Sequence, residues 1–225
     1  MLLTTMPVML WVITAFHLVI IVLSFIQFSK TKNILYLLTA LVAIGLFYDA
    51  LVCALGGVTS SVELINGLSR ARFVLHGALI PLLLPICLYS LGWKKKAQII
   101  VWIITAVIII AGIAEGFATV LDFKEIGGVI RFTGNAALTP GWANAISSVL
   151  TYGAVAPLIV AGIATWIQKK GPHLFLSGLL MFVFSAVGPA TGNMDLIFYI
   201  SMYGEVLMIL FLFLNAGRIN KIQKA

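Results

Sequence analysis

Charge is what this chain has least of. Only 9% of its 225 residues are charged, against 62% hydrophobic, and its mean hydropathy is +1.14. So little polar surface cannot cover a water-soluble globule, so the solvent for most of the chain is lipid. Cysteine is nearly absent as well. Cys53 and Cys87 fall at different depths, too far apart for the roughly 4.4–6.8 Å Cα separation of a disulfide, and read as small apolar residues. The formal charge of +7 does not make a nucleic-acid protein, because the basic residues are short clusters between apolar runs and form no phosphate-binding face.

Other absences exclude particular machines. No lysine stands inside an apolar run, so there is no retinal Schiff base. The G-x-S-G of rhomboid-type proteases is missing, as are the H-x-x-x-H of ceramidase-like hydrolases and the P-Q dipeptide of proline-glutamine-loop transporters. No Walker loop, C-x-x-C or H-E-x-x-H is present, and no motif implies a cofactor.

What is present is a series of seven apolar runs, at about 7–28, 34–55, 73–91, 97–118, 144–167, 174–189 and 196–214. A helix needs about 20 apolar residues to cross some 30 Å of hydrocarbon, and continuous runs of this kind make helices where barrel strands would alternate. The expected fold is therefore all-α: one integral membrane domain over 1–225, a bundle of about seven spans. The first run lacks a basic leader and a small-residue cleavage pattern, so it reads as a mature helix. A weak repeat, Phe25-Ile26-Gln27 against Trp166-Ile167-Gln168, hints that the first three spans match the last three.

Orientation follows from the cations. Lys30, Lys32, Lys94, Lys95, Lys96, Lys169, Lys170, Arg218, Lys221 and Lys224 share one side, while Arg70, Arg72, Lys124 and Arg131 fall on the other. The richer side is cytoplasmic, which puts the N-terminus outside and the C-terminus inside, as in a bacterial or archaeal plasma membrane. Trp11 and Trp142 near outer ends, with Trp93, Trp102 and Trp166 near inner ones, fit aromatic belts.

The acids then become informative, since none is cytoplasmic. Asp49 lies six residues inside its span, roughly 9 Å deep at 1.5 Å per residue, and is too short to reach the headgroups. It is therefore paired, protonated or lining water, and Arg72 and His76 are the candidate partners. The reading is an outward funnel: Arg70, Arg72, Glu115 and Asp195 at the rim, Asp49 and His76 below, and His17 and Glu205 near the midplane as proton-coupling groups. Arg70 and Arg72 could instead snorkel to headgroups. Pro81 and Pro85 bend the third span just below His76. The loop 119–143, rich in glycine, is a candidate lid.

Three functions fit these residues. The favoured one is binding or transport of a small polar or anionic solute, with His17 and Glu205 as the groups for proton coupling. The second is a membrane-embedded hydrolase, with Asp49, His76 and Glu115 around a metal or a water, acting on a lipid at the outer leaflet. The third is a structural or sensory bundle without catalytic activity. Expected partners are the bilayer and a small polar solute or lipid headgroup; the sequence does not fix an oligomeric state.

Overall fold

The computed structural model describes residues 3–192 and 194–224. The chain is an all-α membrane bundle carrying one small hairpin. Helices α1 (Met6–Thr31) and α2 (Ile34–Gly56) pack side by side, followed by α3 (Val62–Leu79) and α4 (Leu83–Leu91), which form one interrupted rod. Next come α5 (Lys95–Ala118), strands β1 (Leu121–Ile126) and β2 (Val129–Gly134), and helices α6 (Gly141–Ile167), α7 (His173–Thr191) and α8 (Met194–Lys224). Six rods among the described residues are long and apolar enough to cross a membrane, and α7 adds a shorter apolar stretch, His173–Val187.

Local chemistry sets the breaks. Asn33 caps α2 by accepting from the Leu35 amide at 3.0 Å, and Ser61 caps α3 by accepting from Leu64 at 3.3 Å. Because of that cap, and with Glu63 favourable in the first turn, the third rod begins at Val62, well before the expected 73. Its first turns carry Asn66, Ser69, Arg70 and Arg72, which hide the helix from a hydropathy reading. At Pro81 the α-helix gives way to a 3-10 turn, Ile80–Leu82, between α3 and α4.

The expected loop 119–143 is corrected in part. Its centre is an antiparallel hairpin whose two-residue connection, Gly127-Gly128, has φ of 58° and 76°. Both values are left-handed, which only glycine adopts cheaply and which matches strand twist. The register pairs Lys124 with Arg131 and Ile126 with Val129, so these side chains share a face.

Two apolar clusters fill the bundle. One, including Leu35, Leu46, Ile86, Leu158, Leu174 and Ile209, extends through the middle to the inner end. The other joins Met6, Leu10, Ile13, Cys53, Tyr199 and Met202 to Ile126 and Val129 of the hairpin. The ten basic residues assigned to the cytoplasm lie at the end where Lys170 reaches the carbonyl of Leu91, and the hairpin lies at the opposite, outer end.

A candidate solute site under the hairpin

Arg72 is the hub of the outer end. It is 6% exposed, and its Nη1 lies 3.3 Å from Asp49 Oδ1 on α2. The same Nη1 donates to Cys53 Sγ at 3.3 Å, while Nη2 donates to the Phe132 carbonyl on β2 at 2.8 Å. Cys53 Sγ in turn donates to Asp49 Oδ1 at 3.7 Å, one turn away on the same helix face. Of the two partners considered for Asp49, Arg72 forms the ion pair; His76 sits one turn below in α3, within electrostatic reach of both. Cys53 is thus part of a polar network and not merely a small apolar residue.

Beside this cluster lies a cavity of about 360 Å³, lined by Asp49 and by residues of the hairpin and α8. From the hairpin come Lys124, Ile126, Arg131 and Thr133; from α8 come Ile197, Phe198, Ser201, Met202 and Glu205. The hairpin therefore forms one wall of a partly open cavity. Arg131 stacks on Phe198 with its guanidinium carbon 3.5 Å from the ring centroid, yet its buried Nε has no partner. Burial lowers the Arg131 pKa to about 10, which leaves it positive at neutral pH. Glu205 is 8% exposed, and its Oε2 likewise has no partner.

The other candidate residues go elsewhere. Arg70 Nη1 donates to the carbonyls of Gly116 (2.9 Å), Phe117 (3.3 Å) and Thr119 (2.6 Å), closing the C-terminus of α5. It does not line the cavity. Glu115 is buried and accepts from Thr119 Oγ1 at 2.9 Å. It sits on the α5 seam, where Gly112 and Gly116 meet Gly77 and Val74 of α3 backbone to backbone. His17 is fully buried in α1 with both ring nitrogens unpartnered, within electrostatic range of Asp49 but off the cavity. The side chain of Asp195 lies outside the described residues. Among the described residues no three His, Cys, Asp or Glu side chains converge as metal ligands, and Glu115 is not brought to Asp49 and His76.

Lys124 and Arg131 are the site residues that sequence reasoning missed. Their signal was available: alternating side chains on either side of a Gly-Gly pair mark a hairpin, and a hairpin places these two cations side by side. The fold and site define an integral membrane helical bundle with a partly open, charge-lined cavity at one end. No protein-family model matches the sequence, and no curated protein does either.

Proposed function

We propose that this protein binds a small polar or anionic solute in the cavity beneath the hairpin and carries it across the membrane. The observation that supports the reading is the cavity itself. About 360 Å³ of space is lined by Lys124, Arg131, Asp49 and Glu205, while the cluster filling the middle and inner end of the bundle is apolar. Charge buried in a bilayer costs at least about 2.5–3.5 kcal/mol per residue on insertion scales, so Asp49 and Glu205, set in membrane-spanning helices beside two hairpin cations, argue for a polar occupant. The charge bias of the ends supports a site on the outer face of a plasma membrane, bacterial or archaeal in this reading. We assign proton coupling to His17, which is buried, unpartnered and near Asp49 without lining the cavity.

A thermal-shift screen of the purified protein against small polar and anionic metabolites tests the site, followed by uptake of each hit into proteoliposomes. Saturable binding that Arg131→Gln weakens supports the reading; hits indifferent to both Arg131→Gln and Glu205→Gln count against it. His17→Gln is expected to flatten the pH dependence of uptake while equilibrium binding persists, and a loss of binding itself would remove His17 from the coupling role.

A further inference from the structure

An acidic and a basic side chain from different elements line the same cavity. Glu205 of α8 is more than nine-tenths buried and lines it together with Asp49. Arg131 of the hairpin lines it with its guanidinium carbon 3.5 Å from the centroid of the Phe198 ring. The ion pair of the outer end is Arg72 with Asp49; Arg131 and Glu205 are not joined to each other. Water could fill the space, but about 360 Å³ is roughly twelve times a water's share of liquid volume and falls within the range of small-ligand pockets.

We infer that the occupant is a small amine-bearing zwitterion. Its anionic group takes the Arg131 guanidinium with Lys124 beside it, its ammonium takes the acids Asp49 and Glu205, and its apolar body lies against Ile126, Ile197 and Met202. A simple anion would lie against the buried Glu205 carboxylate, and a simple cation would lie under two positive side chains; only a molecule with both charges is matched at each end. The inference rests on the solute-binding reading above and narrows it to a chemical class. Two sources share this chemistry, a free amino-acid-like solute and the phosphoethanolamine headgroup of a lipid entering from the outer leaflet.

The test uses the full-length protein in phosphatidylglycerol nanodiscs and follows thermal stabilisation by four probes. These are leucine, 4-methylpentanoate, which lacks the amine, 3-methylbutylamine, which lacks the carboxylate, and O-phosphoethanolamine; a parallel set of discs contains phosphatidylethanolamine. A zwitterionic probe is expected to bind about tenfold or more tightly than either charge-deleted analogue. Arg131→Gln and Glu205→Gln should each weaken it by a similar factor, and Glu205→Gln should also close the gap between leucine and 4-methylpentanoate. Lys124→Gln, milder and outside the apolar bundle, should weaken it by a few fold, which keeps the test valid if either buried variant fails to fold. Leucine binding points to a free solute; protection only by O-phosphoethanolamine and by phosphatidylethanolamine discs points to the headgroup. If 4-methylpentanoate binds as well as leucine and Glu205→Gln changes nothing, the zwitterion falls while an anion site stands. If no probe and no lipid stabilises the folded wild type, both the zwitterion and the solute site fall.

Discussion

At the scale of single residues, the Arg72 guanidinium ties three elements together through Asp49 on α2 and the Phe132 carbonyl on β2. Arg72→Gln leaves the largely buried Asp49 without its counter-charge, and loss of one partner of a buried pair typically costs about 3–5 kcal/mol. We expect Arg72→Gln to lower stability by that order in reversible unfolding in detergent, and the double variant Arg72→Met with Asp49→Leu to recover much of it. A double variant no more stable than the single one would mean that the Phe132 hydrogen bond, and not the stranded charge, carries the effect. This pair was legible in the sequence because Asp49 is too short to reach the headgroups from its depth and Arg72, one loop away at the rim above it, was one of its two candidate partners. The opposite charges that face the cavity were only half legible. Glu205 sits inside an apolar run and stands out, whereas Arg131 enters from a segment whose distance along the chain conceals where it folds.

At the scale of elements, the hairpin and the start of α3 are where hydropathy fails, for opposite reasons. The first turns of α3 are helical but polar, and the signals that mark them are the Ser61 cap and Glu63 instead of an apolar run. The hairpin lies in a stretch whose length suggests a loop, although its alternation and its Gly-Gly turn follow strand chemistry. What holds it down is close backbone approach: a Cβ on Gly56, at the end of α2, would collide with the carbonyl of Ile130. Gly56→Ala is therefore expected to lift β2 from α2 while the bundle beneath stays packed. Hydrogen exchange should rise for amides of 121–134 with little change in α7 and α8, and solute affinity should fall with the loosened wall. Equal exchange in variant and wild type would show that the hairpin accommodates the methyl group and is not fixed by this contact. A different outcome is expected for Gly77→Val, since Gly77 and Gly112 meet backbone to backbone between α3 and α5. That substitution separates two membrane-spanning rods and should abolish the folded monodisperse protein in size-exclusion chromatography.

At the scale of the whole molecule, the asymmetry between the two ends decides whether the protein can be a carrier. The outer end holds the cavity, whereas the inner end is closed by apolar packing and a few hydrogen bonds. Lys170 Nζ donates to the carbonyls of Ser90 (3.1 Å) and Leu91 (2.9 Å), and Asn215 Nδ2 donates to Ser90 Oγ at 2.8 Å. A carrier must break this closure to release solute into the cytoplasm, whereas a receptor-like pocket need never do so. The two free cysteines report on the two ends: Cys53 belongs to the outer network, and Cys87 is 5% exposed within the inner core, one turn before Ser90 on α4. Removing the closure with Lys170→Ala and Asn215→Ala deletes hydrogen bonds worth about 0.5–1.5 kcal/mol each. A shift of one or two kcal/mol changes an equilibrium by roughly 5–30-fold, so impermeant maleimide added from the cytoplasmic side of inside-out vesicles should label Cys87 faster by about that factor. In a Cys53→Ser background, a bound solute that is transported should speed Cys87 labelling in the unmodified closure as well. Should Cys87 stay unreactive with solute present and the closure removed, while solute still raises the melting temperature of the native chain, the cavity binds without translocating and the protein is a receptor instead of a carrier.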